Sequence, residues 1–145
     1  MEQSFQELDF LLQNTNYLMN QITRKYLEEK KLSLPRYWVL FNVNENRGMT
    51  MRELHNKMYL APSSITSLVD SLVESNLLRR GSHPEDRRVI KLFITDKGKG
   101  ILEEIRLFRY QKLKVALKDI DAEAYPIIIK ALKTLSAFLR DKQSS

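Results

Sequence analysis

The side chains in this sequence that can do chemistry are basic and hydroxylic. Arg79, Arg80, Arg87, Arg88 and Lys91 crowd one short stretch, opposed there only by Glu85 and Asp86. Just upstream, Ser63, Ser64, Thr66, Ser67, Asp70 and Ser71 recur on one side of a helical register. Lys and Arg neutralise phosphates, while short hydroxyls and carboxylates bond phosphates and base edges at close range. An ordinary solvated helix face carries long charged side chains. A face of small donors and acceptors suits close approach to a DNA groove. Thr50-Met51-Arg52-Glu53 has the spacing of a capping box, which puts Thr50 and Arg52 at a helix start where a phosphate is favoured. Simple capping explains Thr50 equally well.

Other chemistries find no support. His55 and His83 are the only histidines and there is no cysteine, so disulfides, thiolate zinc sites and thiol redox sensing are excluded. No HExxH, carboxylate cage or paired-histidine spacing appears, so no metal is expected. There is no GxSxG, phosphate-binding loop or dinucleotide glycine motif, and Ser63 and Ser64 have no local histidine partner. The expectation is a protein that is not an enzyme and needs no cofactor.

These groups must be held by elements, and the apolar spacing supplies them. Phe5, Leu8, Leu12, Thr15, Met19, Ile22 and Tyr26 alternate by three and four, with Leu11 and Leu18 widening the stripe of one long helix. A second helix starts near Pro35, with Tyr37, Leu40, Phe41 and Val43 as its apolar positions, and stops at Asn46-Arg47-Gly48. A short helix after Thr50 turns Met51, Leu54 and Met58 inward. Tyr59-Leu60-Ala61 connects it to a helix from Pro62 to about Ser75, lined by Ile65, Leu68, Val69 and Leu72. Two short helices so joined make a helix-turn-helix. Residues 77–80 and 88–95 read as strands, with Ile90, Leu92 and Ile94 alternating inward and a turn-rich tip over 81–86. Such a hairpin after a recognition helix is a wing. A further helix begins at Thr95-Asp96-Lys97-Gly98. The last one is capped by Asp121, carries Tyr125, Ile128, Ile129, Leu132, Leu135, Phe138 and Leu139, and loses a bond or kinks at Pro126. The tail DKQSS should fray.

The chain of 145 residues is long enough for one real core. Its net charge of +6 and pI near 9.5 favour polyanionic partners. No signal peptide or membrane-length apolar run appears, so a soluble, cytoplasmic protein without membrane contact is expected. Both terminal helices carry more apolar surface than a small lobe covers, which implies a homodimer burying over roughly 2,000 Å².

The run SSITSLVDSLVESNLLRRGSHPEDRRVIKLFITDKG, residues 63–98, resembles the MarR family of bacterial regulators. Its most specific part is Asp86-x-Arg88, then five residues, then Ile94-Thr95 and Gly98. LSLPRYWVLFNV is similar to the family's second helix. Asn76 stands where the family usually has glycine, and asparagine also tolerates a left-handed turn. His55 and Tyr59 replace small residues, and Ser67 replaces a common basic one. The resemblance implies a mainly α fold with a small β-hairpin wing: a winged helix-turn-helix lobe (residues 35–98), a connecting helix (96–118) and a helical dimerisation region (1–34 and 119–145) in a single domain. It implies a transcriptional regulator, a repressor binding double-stranded DNA at a pseudo-palindromic operator as a homodimer and released by a small aromatic or other small-molecule effector. The alternative is a winged-helix protein-interaction module without specific DNA binding. Expected DNA contacts are Thr50, Arg52, Ser63, Ser64, Thr66, Ser67, Asp70, Arg87, Arg88 and Lys91, with Arg87 at the minor groove. Asp86 and Arg88 brace the wing, or Asp86 is simply a turn residue. Tyr17, Trp38 and His55 line the effector site, or are core side chains.

Overall fold

The computed structural model describes residues 1–143, in two compact units divided between Arg109 and Tyr110. The elements are α1 (Glu2–Glu29), α2 (Leu34–Glu45), β1 (Met49–Thr50), α3 (Met51–Met58), α4 (Pro62–Glu74), β2 (Leu78–Ser82), β3 (Ile90–Ile94), α5 (Asp96–Ala116) and α6 (Ala124–Gln143). The expected helix-rich fold with a wing is present.

In the first unit, local signals start and stop the helices. The Ser33 hydroxyl caps α2 by accepting from the Arg36 amide, with Pro35 in the first turn, where its missing N–H costs nothing. Ile65, Val69 and Leu72 of α4 face inward, joined by Leu54 of α3, Val39, Leu40 and Val43 of α2, Leu27 of α1 and Ile105 of α5. On α2, Val39 rather than Phe41 takes the buried place. The core needs a residue on the side of the helix turned toward Leu40 and Val43, and Phe41 points outward against the edge of Trp38.

The wing has three strands in the order β1-β3-β2, all antiparallel, rather than a hairpin alone. Met49 pairs with Leu92 and Thr50 with Lys91, while Leu78 to Ser82 pair with Ile94 to Ile90. A two-residue strand carries no readable alternation, so β1 had no sequence signal. Leu92 is fully buried, whereas Ile90, near the tip, is exposed because the core ends before it.

The wing joins α5 through a tight junction. Asn76 sits at φ +57° and ends the turn after α4, the left-handed backbone that glycine usually supplies. Thr95 Oγ1 donates to the Asn76 carbonyl at 2.7 Å and accepts the Gly98 amide at 3.0 Å, so it caps α5. A side chain at Gly98 would place Cβ 2.3 Å from the Leu77 carbonyl oxygen. Only a residue without one lets α5 start this close to the strand.

In the second unit, the Tyr125 hydroxyl donates to the Leu117 carbonyl at 2.6 Å, and α6 begins one residue earlier, at Ala124. Pro126 therefore falls in the first turn, where amides have no intrahelical acceptor, and the expected loss of a bond does not occur. Asp121 is not a side-chain cap; its carbonyl accepts the Ala124 amide at 2.9 Å. The helix continues to Gln143, so residues 141–143 of the expected tail are helical, and Ser144 and Ser145 lie outside the described residues. The α6 stripe of Ile127, Ile128, Leu132, Leu135, Phe138 and Leu139 is exposed throughout.

Candidate nucleic-acid interface

The helix-turn-helix is built from α3 and α4. Thr50 Oγ1 accepts the Glu53 amide at 3.1 Å and Glu53 Oε2 accepts the Thr50 amide at 2.9 Å, completing the capping box. Tyr59 ends α3 at φ +52° with its ring in solvent. That left-handed residue makes the turn. Pro62 opens α4, and the Ala61 carbonyl already accepts the amides of Ser64 and Ile65 at 3.0 and 3.1 Å. The first turn of α4 thus offers an external anion mainly the Ser63 amide, less than four free donors would.

Ser63, Ser64, Thr66 and Ser67 are exposed in a continuous patch. Thr66 Oγ1 donates back to the Pro62 carbonyl at 3.0 Å, which leaves it an acceptor toward solvent. Asp70 differs from its neighbours. Its carboxylate is ion-paired with Arg80 of β2, tying the recognition helix to the wing. Spacing along either element gives no hint of this pair. Arg79, the next residue, points to the opposite face of the sheet, with its guanidinium 4.3 Å from the centroid of Phe93.

At the wing tip, Asp86 Oδ1 accepts the Arg88 amide at 3.0 Å and Arg88 Nε at 3.3 Å. The residue is at once a turn-former and one half of an ion pair. Arg88 stays 93% exposed, so the pair is solvent-screened and worth about 1 kcal/mol at most. Arg87 is exposed and makes no ion pair among the described residues. Lys91 is half-buried beside Thr50. Thr50, Arg52, Arg88 and Ile90 line one recess of about 400 Å³, so the start of α3 and the wing share a concavity.

The three expected effector residues do not converge. Tyr17 is exposed on α1 and His55 is half-buried on α3. Trp38 lines a recess of about 440 Å³ with Arg24, Pro35, Lys57, Met58 and Leu60, and neither Tyr17 nor His55 reaches it. Beside Trp38, burial pushes the Tyr37 phenol above its ordinary pKa, an effect the Arg109 guanidinium opposes. Arg109 also donates to Thr23 Oγ1 at 2.8 Å. Arg109 escaped sequence reading because its partners lie on α1 and α2. Among the described residues no group of His, Cys, Asp and Glu could hold a metal, and no helix is long and apolar enough to cross a membrane.

Residues 32–90 match the model of the MarR family, a span that runs from just before α2 to the first residue of β3. Over 136 residues the chain is 28% identical to the uncharacterized HTH-type transcriptional regulator YsmB of Bacillus subtilis, covering 94% of this chain and 93% of that protein. The structure of a MarR family protein from Bacillus stearothermophilus superposes with a TM-score of 0.84 at 28% identity, over 97% of this chain and 98% of the other. Streptococcus pneumoniae FabT, solved in complex with DNA, shares the fold with a TM-score of 0.75 at 19% identity, over 94% and 98% of the two chains.

Proposed function

We propose that this chain, which matches the MarR family of transcription regulators over residues 32–90 and is similar to HTH-type transcriptional regulators over most of its length, is a DNA-binding repressor that binds an inverted repeat as a homodimer and is released by a small-molecule effector. The observation that carries the reading is one lobe presenting two complementary features. The exposed hydroxyls of Ser63, Ser64, Thr66 and Ser67 offer short donors and acceptors to base edges. The wing beside them carries Arg87, which makes no ion pair among the described residues, and Thr50, Arg52 and Arg88 stand around a recess completed by Met51, Val89 and Ile90, where the start of α3 and the wing meet. Asp70 serves this interface indirectly, by holding Arg80, rather than by reading a base. The exposed apolar stripes of α6 and of the first half of α1 support a homodimer. A twofold pair of recognition helices one DNA turn apart, about 34–36 Å, matches an inverted repeat. The recess beside Trp38 supports a small aromatic effector.

Selection of bound sequences from a random duplex pool tests this reading. The expected result is an enriched inverted repeat with half-sites one helical turn apart. If the dimer makes on the order of 8–10 phosphate contacts, affinity should fall by about 10³–10⁵ between 50 and 200 mM salt. Equal retention of all duplexes at low ionic strength overturns it.

A further inference from the structure

A polar recess of about 540 Å³ opens at the base of the wing. It belongs to the sheet face opposite α4. Arg80 on β2 turns toward α4 to pair with Asp70, and Leu78 and Leu92 on that face are buried, so Arg79 and its cross-strand partner Phe93 project the other way. The recess is lined by three cations from three elements: Arg47 beyond the end of α2, Arg79 on β2 and Lys99 in the first turn of α5. Asp96 is the single carboxylate among its lining residues. None of the three cations makes an ion pair among the described residues.

Arg79 is also held in place. Its guanidinium lies 4.3 Å from the Phe93 centroid, and that ring lies close against Gly81, where an added Cβ would come within 2.9 Å of it. A guanidinium stacked on a ring keeps its planar fork of donors ready and loses little entropy when it bonds a carboxylate or phosphate. Three unneutralised cations converging on a cavity of ligand size, one of them pre-oriented, form a site for an oxyanion.

We propose that this recess binds a small anion through a carboxylate or phosphate group, with Arg79 as the fork and Arg47 and Lys99 as flanking charges. The Asp96 carboxylate opposes such a ligand. The site lies on the sheet face that does not meet the recognition helix, so its ligand is separate from operator DNA and its test stands whether or not the DNA reading holds.

The full-length protein, ¹⁵N-labelled, is titrated with sodium phosphate and separately with sodium citrate, against sodium chloride at matched ionic strength. Saturable shifts are expected at the Gly48, Gly81 and Thr95 amides. Arg79→Gln should weaken binding roughly tenfold or more, as loss of charge-assisted hydrogen bonds does. Asp96→Asn should tighten it. A response to phosphate alone assigns a phosphate-bearing ligand, and one to citrate alone a carboxylate. Shifts that chloride reproduces, that persist in Arg79→Gln, or that centre on Ser63 and Ser64 overturn the proposal.

Discussion

Leu92 at the middle of β3 is fully buried in a cluster with Leu54, Val69 and Leu78, whereas Ile127, Leu132 and Phe138 on α6 are all exposed. The same residue types at equally regular spacing meet opposite fates. In the winged lobe, strands and helices from distant parts of the chain close over each apolar face. On α6, and on the first half of α1, no part of the described chain does so. Periodicity therefore says that a face requires cover, and leaves open whether the cover comes from the same chain or another. Exposed apolar area on this scale is the mark of an interface.

The largest effect should come from charging the open stripe. In the proposed homodimer, Leu132→Glu would bury an uncompensated carboxylate on each protomer, a cost on the order of 3–5 kcal/mol. Sedimentation should show a dimer becoming a monomer, while the amide spectrum of the lobe stays dispersed. A variant that remains dimeric breaks the contrast between the two regions. Leu92→Ala acts on the closed core and should lower stability in urea by about 2–5 kcal/mol. Gly98→Ala tests the strand–helix junction. Its Cβ meets a backbone carbonyl, which cannot rotate away, so a loss of about 1–3 kcal/mol is expected by thermal denaturation. Thr50→Ala removes the acceptor for the Glu53 amide and should cost about 1 kcal/mol. Arg87→Ala should leave stability within about 0.5 kcal/mol, since the side chain is exposed and makes no ion pair among the described residues. It should still weaken retention of the selected duplex at moderate salt, and unchanged affinity there would refute the wing assignment.

Much of the lobe was legible before any coordinates. The Thr50–Glu53 capping box, Pro62 at the head of α4 and the inward set Ile65, Val69 and Leu72 all appear where the spacing put them, and Asn76 takes the left-handed turn that the family resemblance implied. Each rests on interactions within about one helical turn or one tight turn, so neighbouring residues define it. The hydroxyl face of α4 was legible for the same reason. Its chemistry was less so, because Asp70 looked like one more exposed acceptor and, though exposed, is also Arg80's partner. Trp38 was found at a recess, but Tyr17 and His55 were placed beside it by analogy and lie apart from it.

By itself the sequence determined which segments are helical, where α3 and α4 start, and which residue types face outward on α4 and the wing tip. Tertiary structure alone decided that Met49–Thr50 becomes a third strand, that Arg79 lies on Phe93, and that Arg80 holds Asp70. The reason is physical. Caps and periods depend on backbone bonds a few residues long, whereas these contacts depend on strand register and on how one element packs against another.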